Sequence, residues 1–263
     1  NVYPDLLFTV GKATFAIEIC EDLWTPIPPS SHHALAGADI IVNLSASNEV
    51  LMKHQYRRQL VSQQSARTIS AYIYSSCGYG ESTQDLVFAG SSIICENGSI
   101  MSENERFLME SSMISADIDI DKLHTLRQKE STFHSVSPDG TPDGVDARRY
   151  VRIDAGKGAA TDFSIDLRRH VEAHPFVPGY DMASGSAAVA ERDERCREIT
   201  DIQVMGLATR LAHIGSWTAV IGISGGLDST LALIVTVLAF DKLGWDRRRI
   251  VGVTMPGLGT TER

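Results

Sequence analysis

Apolar residues in the first half of the chain fall in short runs of strand length, interrupted by one long stretch at helical spacing. Leu6–Val10 and Ala13–Ile19 are apolar or β-branched and are separated by Gly11-Lys12, the spacing of a hairpin. Asp39–Leu44 is a continuous apolar run of the buried-strand type. From about Glu49 to Ile69, Leu51, Leu60, Val61 and Ala66 recur among Lys, Arg and Gln. That pattern predicts a long amphipathic helix, with Ser47 or Asn48 as its cap. Ala71–Ser76, Leu86–Ala89, Ser91–Cys95 and Met113–Asp119 then read as strands, with turn residues Glu96-Asn97-Gly98 between two of them. Together these elements predict an α/β half with a mixed sheet.

Between about His124 and Ser186 the periodicity weakens. Pro138-Asp139-Gly140, Pro142-Asp143-Gly144, Gly156-Lys157-Gly158 and Pro175–Gly179 are turn signals, broken only by short runs such as Tyr150–Ile153. The expected organisation is therefore a first domain over 1–127, a connecting segment over 128–185 and a second domain over 186–263. In the second domain Val204, Leu207, Ala208 and Leu211 have the i, i+3, i+4, i+7 spacing of a helix. Trp217–Ile223 reads as a strand, Ser224–Asp228 as a tight loop, Ser229–Leu243 as an apolar helix and Ile250–Thr254 as a second strand. This order implies a parallel sheet with a right-handed crossover.

Composition changes this picture only by exclusion. The 263 residues suffice for about two domains, and 43% hydrophobic with 22% charged residues is ordinary globular usage. A net charge of -9 disfavours a nucleic-acid partner, because the field of the whole molecule repels polyphosphates. Cys20, Cys77, Cys95 and Cys196 form no CxxC pair and no zinc-like spacing, as expected for reduced thiols in a cytoplasm. No apolar run reaches membrane-spanning length, so no membrane partner is expected. The chain opens on Asn1 and stops at Arg263 within a Gly-rich loop, which suggests an excerpt of something longer.

Two places carry chemistry. The first is Gly222-Ile223-Ser224-Gly225-Gly226-Leu227-Asp228-Ser229-Thr230, between a strand and a helix. Paired glycines let the backbone approach a ligand, and the following helix start offers unpaired N–H groups and partial positive charge, so the corner can hold an anion. It lacks the Lys of a Walker A loop, and Asp228 is a candidate magnesium ligand because hard oxygen donors suit that ion. A glycine turn that binds nothing is the plain alternative. The second place is Cys20, at the end of an apolar strand in Glu18-Ile19-Cys20-Glu21-Asp22-Leu23-Trp24. A thiol there can project from a strand-to-helix corner whose next amides could stabilise an oxyanion, whereas an isolated Cys is more often packing. His32-His33 are expected to be surface histidines, since adjacent side chains rarely converge on one ion.

Both motifs resemble known families. Ser224-Gly225-Gly226-Leu227-Asp228-Ser229-Thr230 resembles the pyrophosphate loop of the ATP pyrophosphatases, which adenylate a carbonyl oxygen for displacement by a nitrogen nucleophile. Met255-Pro256-Gly257-Leu258-Gly259-Thr260-Thr261 resembles the corresponding loop of NAD synthetases. The Cys20 segment, with Asn43-Leu44-Ser45-Ala46-Ser47 and the helix carrying Lys53, Arg57 and Arg58, resembles the nitrilase or carbon-nitrogen hydrolase family. That resemblance implies Cys20 as the nucleophile and Ser47 and Lys53 as ligands of the amino-acid end of glutamine. The alternatives are a helix cap for Ser47 and a solvated face for Lys53.

The order of the two motifs resembles the glutamine-dependent NAD synthetases. It implies the C-terminal part of a nitrilase-like αββα sandwich, followed by the start of a Rossmann-like, parallel-sheet ATP-pyrophosphatase domain. Gly222, Ile223, Ser224, Gly225, Gly226, Leu227, Asp228 and Ser229 would bind ATP, with Asp228 on Mg2+. Glutamine, ATP and deamido-NAD would be the substrates and NAD the product, in a homo-oligomer when full length. The family's triad is Glu-Lys-Cys, and its Glu and Lys would precede the nineteen residues before Cys20, so Glu18 and Lys12 are not expected to fill those roles. The fragment by itself is accordingly expected to be inactive. Other readings are a different nitrilase-coupled, ATP-dependent amidotransferase, or a nucleotide-binding protein with a decayed amidase site.

Overall fold

The computed structural model describes residues 4–131, 133, 150–156, 166–169, 171, 173–177, 186–215 and 217–255. The turn signals at Pro138–Gly144 and Pro178-Gly179, and most of the loop that starts at Met255, lie outside these residues. The chain divides into two units, Asn1–Arg169 and His170–Arg263.

The first unit is built on a seven-stranded mixed sheet, ordered β6-β5-β4-β3-β2-β1-β7. β1 (Leu6–Val10) and β2 (Ala13–Ile19) form the expected hairpin. β2, β3 (Ile40–Ser45) and β4 (Ala71–Ser76) run parallel at the centre. Their continuous apolar runs suit strands with apolar contacts on both faces. β5 (Ser92–Glu96) and β6 (Ser99–Glu103) turn back antiparallel across Asn97-Gly98.

Helices α1 (Pro29–Leu35) and α2 (Lys53–Thr68) lie with the core face of this sheet, where Leu7, Ala16, Ile41, Val61, Tyr72, Tyr74, Ile93 and Cys95 are buried. On the other face α3 (Ile120–Lys129) buries Ile120 and Leu123 against Ala13 and Ile40. Arg127 anchors this helix by donating to Asp39 and to the carbonyls of Ala38, Thr68 and Ile69. Beyond α3, Ile17, Ile19 and Leu44 are exposed on that face.

Several expectations need correction. Leu86–Ala89 contributes only an isolated bridge between Asn48 and Phe88, and Met113–Asp119 forms no strand. The partner across the Asn97-Gly98 turn is Ser99–Glu103 instead. That strand is missed in the sequence because Ser-Ile-Met-Ser-Glu lacks an apolar run. α2 starts at Lys53, with Met52 in the left-handed region as its N-cap and no side-chain cap, so Ser47 does not cap it. His33 is buried, not a surface residue, and its ring meets Tyr150. Residues 151–154, within the expected connecting segment, form β7 (Val151–Asp154), parallel to β1.

The second unit contains α4 (Ser186–Ile214), β8 (Ala219–Gly222), α5 (Leu227–Leu243) and β9 (Ile250–Val253). β8 and β9 pair in parallel across α5, as the β-loop-α-β pattern requires. Val204 and Ala208 of α4 pack on Val235 and Ala239 of α5. Leu227, Leu231, Ile234 and Leu238 form an exposed apolar stripe on the other side of α5.

Candidate functional site

In parallel sheets the carboxyl ends of neighbouring strands open onto one edge, where loops can carry polar groups without breaking the ladder. In the first unit that edge holds Cys20 after β2, Ser47 after β3 and Cys77 after β4. Cys20 opens a short 3-10 helix, Cys20–Trp24, with its backbone at φ +48, a region a non-glycine residue enters at a cost of about 1–2 kcal/mol. Asp22 supports the corner, its Oδ2 accepting from the N–H of Ile19 at 2.8 Å. The thiol residue thus leaves the strand on a sharply turned backbone, the kind of corner expected from the sequence.

Lys53 comes to the same place. Its Nζ donates to the carbonyl and to Oδ1 of Asn48 at 2.8 and 3.0 Å, and stands 5.4 Å from the centre of the Trp24 ring. Burial, and then the charge of Arg57, hold its ammonium below the ordinary lysine value, while Glu49 and Cys20 act in the opposite sense. Lys53 is half-buried, held between Asn48 and the Trp24 ring. Ser47 is buried, and its N–H donates to Ser76 Oγ at 3.2 Å. A polar cavity of about 280 Å³ is lined by Ser76, Cys77, Asn104 and Glu105. Burial raises the Cys77 thiol above its usual value, and Glu81 adds to the effect.

Neither Glu18 nor Lys12 is available to the thiol as an acid or base. Lys12 pairs with Asp121 at the β1-β2 turn, the opposite end of β2. Glu18 is buried, and its Oε2 accepts from the N–H of Ser30 at 2.7 Å while Oε1 accepts from the hydroxyl of Tyr72. Glu18, Asn43 and Tyr72 form a polar cluster that the motifs do not announce. The available signal is parity: Glu18 shares with Ala16 the side of β2 that faces the core.

In the second unit the Gly222–Ser229 loop joins β8 to α5. Gly225 has φ +82, and Gly226 is the N-cap of α5 without a side-chain cap, so N–H groups of the first helical turn remain open to an anion. Ser229 Oγ accepts from the N–H of Ser224 at 3.3 Å and donates to the carbonyl of Gly226 at 3.1 Å, bracing the loop. Asp228 is exposed in the first turn of α5. Its carboxylate is a hard oxygen donor on the same turn as these amides, so the donor type fits a divalent cation carried by a phosphate.

The Cys20 corner and the Gly222–Ser229 loop lie in segments that match two different family models. Residues 5–128 match the carbon-nitrogen hydrolase family model, and residues 199–263 match the NAD synthase family model. Over 98% of its length the chain is 38% identical to the glutamine-dependent NAD(+) synthetase of Mycobacterium tuberculosis H37Rv, of which it covers 37%. It is also 38% identical to that of Mycobacterium leprae over 99% of its length, again covering 37%. With that of Thermotoga maritima it shares 28% identity over 98% of the chain and 39% of the relative. The chain thus spans little more than a third of the length of these curated relatives.

Proposed function

We propose that the full-length protein makes NAD from deamido-NAD, with glutamine as the nitrogen source and ATP as the activating substrate. The observation that carries this reading is the succession of the Cys20 corner and the Gly222–Ser229 loop in one chain. In the first site the Cys20 sulfur attacks the side-chain amide carbon of glutamine. The C–N bond breaks, ammonia leaves, and water hydrolyses the thioester to glutamate. Lys53 holds the glutamine α-carboxylate as a point charge, a weaker geometric match than a bidentate guanidinium, and Ser47 contacts the same end of the substrate. The family resemblance assigns the general base and the oxyanion donor to a Glu and a Lys.

In the second site the amides of Gly225 and Gly226 and the start of α5 hold the ATP phosphates, with Ser224 and Ser229 bracing the loop and Gly222, Ile223 and Leu227 framing it. Mg2+ would be held by Asp228 together with phosphate oxygens and would neutralise phosphate charge. The nicotinate carboxylate of deamido-NAD attacks the α-phosphorus and pyrophosphate leaves. Ammonia then displaces AMP to give the amide. The exposed apolar stripe of α5 supports enclosure of this helix in a larger domain, and the outward Ile17, Ile19 and Leu44 support a second sheet stacked on the first. A cytoplasmic, homo-oligomeric enzyme completes the reading, and all four cysteines are free, as such a compartment allows.

The test uses the full-length protein with ATP, Mg2+, deamido-NAD and either glutamine or ammonium. Formation of AMP, pyrophosphate and NAD in equal amounts is expected. Cys20→Ala should abolish the glutamine-dependent reaction and leave the ammonium-dependent one. Release of ADP, or glutamine-dependent synthesis surviving in Cys20→Ala, would overturn the reading.

A further inference from the structure

Beneath Cys20 lies a buried set of side chains that the thiol chemistry does not use directly. Glu18 and Asn43 are inward residues of the paired strands β2 and β3, directly opposite each other in the register, and Tyr72 is inward on β4. Glu18 accepts at both oxygens. Oε2 takes the N–H of Ser30 in the first turn of α1, a helix whose N-cap is Pro28 and which has no side-chain cap of its own. Oε1 takes the hydroxyl of Tyr72 and faces Asn43 Nδ2 at 3.5 Å. Burial, and then the Glu18 charge, push the Tyr72 phenol above its ordinary range, so that it stays a donor.

Asn43 carries this arrangement to the thiol residue. Its Oδ1 accepts from Ser45 Oγ at 2.6 Å, which sets the direction of the amide. The other end, Nδ2, donates to Tyr72 Oη at 3.1 Å and reaches the carbonyl oxygen of Cys20 at 3.5 Å. The Cys20 carbonyl would point elsewhere if the residue relaxed to negative φ, so a donor fixed at that point opposes relaxation. Asp22 holds the residue before the thiol, and Asn43 faces the carbonyl of the thiol residue itself.

We propose that Glu18, Tyr72 and Asn43 form a positioning network that holds the Cys20 backbone in its left-handed conformation and so aims the thiol at the glutamine amide. The proposal rests on Cys20 being the nucleophile. The network acts through the backbone of Cys20, whereas Lys53 and Ser47 act on the amino-acid end of the substrate. Its loss therefore lowers turnover more than binding, because a misplacement of about 1 Å can cost about a hundredfold in rate.

The experiment compares full-length parent, Tyr72→Phe, Asn43→Ala and Cys20→Ala in glutamine hydrolysis, with ammonium-dependent NAD formation measured on the same preparations. Tyr72→Phe and Asn43→Ala are expected to lower the glutaminase kcat by about tenfold or more, with the KM for glutamine within about twofold of the parent. The rate of Cys20 alkylation by iodoacetamide should fall in parallel, while ammonium-dependent synthesis is retained. Where Asn43→Ala does not fold, Tyr72→Phe decides, since it removes a single oxygen atom. Parental kcat in these variants, or a raised KM at unchanged kcat, overturns the network while Cys20→Ala remains inactive. Glutamine hydrolysis surviving in Cys20→Ala instead overturns the functional reading beneath it.

Discussion

Arg169 forms a two-pronged pair with Glu96, Nη1 to Oε2 at 2.8 Å and Nη2 to Oε1 at 3.0 Å, and so fastens residues at the end of the first unit to the end of β5. The carboxylate is almost fully buried and also accepts from the N–H of Asp119. Burial acts to raise the Glu96 carboxyl, but the Arg169 hydrogen bonds, the Asp119 amide and the charges of Arg169 and Lys122 outweigh it and hold it below the usual glutamate value. A carboxyl depressed in the folded state contributes stability that is complete above the unfolded value of about 4.3 and is lost as pH falls through the folded value. Arg169→Ala should cost about 2 kcal/mol or more at neutral pH and move acid unfolding to higher pH. Thermal midpoints measured from neutral to acid pH check this. Glu96→Gln should flatten the acid limb, and a limb unchanged in both variants would contradict the assignment.

Lys53 should make glutamine binding sensitive to alkali. Its ammonium is held below the ordinary lysine value, so the cation is lost at lower pH than in a free lysine, and binding weakens as pH rises. The KM for glutamine should therefore increase on the alkaline side in the parent. Lys53→Arg should remove that increase because guanidinium stays charged. Lys53→Ala should raise KM by roughly 10- to 100-fold at neutral pH, the equivalent of a charged hydrogen bond of about 1.5–3 kcal/mol. Steady-state glutaminase assays against pH measure all three.

The paired glycines of the loop should respond differently to a methyl group. Gly225 has φ +82 with open space where a Cβ would stand, so Gly225→Ala suffers a backbone penalty of about 1–2 kcal/mol and distorts the loop. Gly226 has φ -85, and an added Cβ would meet only Ser224 Oγ at 3.5 Å, an ordinary contact. Gly226→Ala should therefore cost only the loss of a preferred N-cap residue, about 1 kcal/mol or less. If the ATP phosphates sit against these amides, it should still raise the KM for ATP several-fold in ammonium-dependent synthesis. An unchanged KM for ATP in Gly226→Ala would mean that the loop is only a turn.

α3 should be sensitive to a single truncation. Leu123 is fully buried, packed with Ile120 against the sheet residues Ala13 and Ile40, so shortening it leaves a gap under the middle of a ten-residue helix. Leu123→Ala should destabilise the first unit by about 2–5 kcal/mol. Hydrogen exchange should show the loss first in the amides of α3, and uniform protection in parent and variant would rule this out.

The parts legible in the sequence are those with a local signature. Gly11-Lys12 between two apolar runs marks the first hairpin, and Asn97-Gly98 marks the second turn, although the strand that follows it is too polar to be recognised. α5 announces itself through a Gly-rich start and an apolar body. α1 does not, because the N–H of Ser30 in its first turn is satisfied by the carboxylate of Glu18, twelve residues earlier and on another element. α3 is hidden for a similar reason. Its N-cap Asp119 is a common cap type, but the segment before it has the apolar content of a strand, and only Leu123 and Arg127 meeting the sheet settle the matter.

Residue type and order were enough to place a thiol at a strand end and a Gly-rich corner before a helix, since these depend on neighbours within a few positions. The long-range relationships needed the fold. Glu18 opposite Asn43, Tyr72 behind both, and Lys53 beside Trp24 join residues on separate elements, and strand register alone brings the first three into contact. Whether a buried polar side chain is tolerated or useful depends on the partners that satisfy it, and parallel pairing recruits those partners from distant parts of the chain.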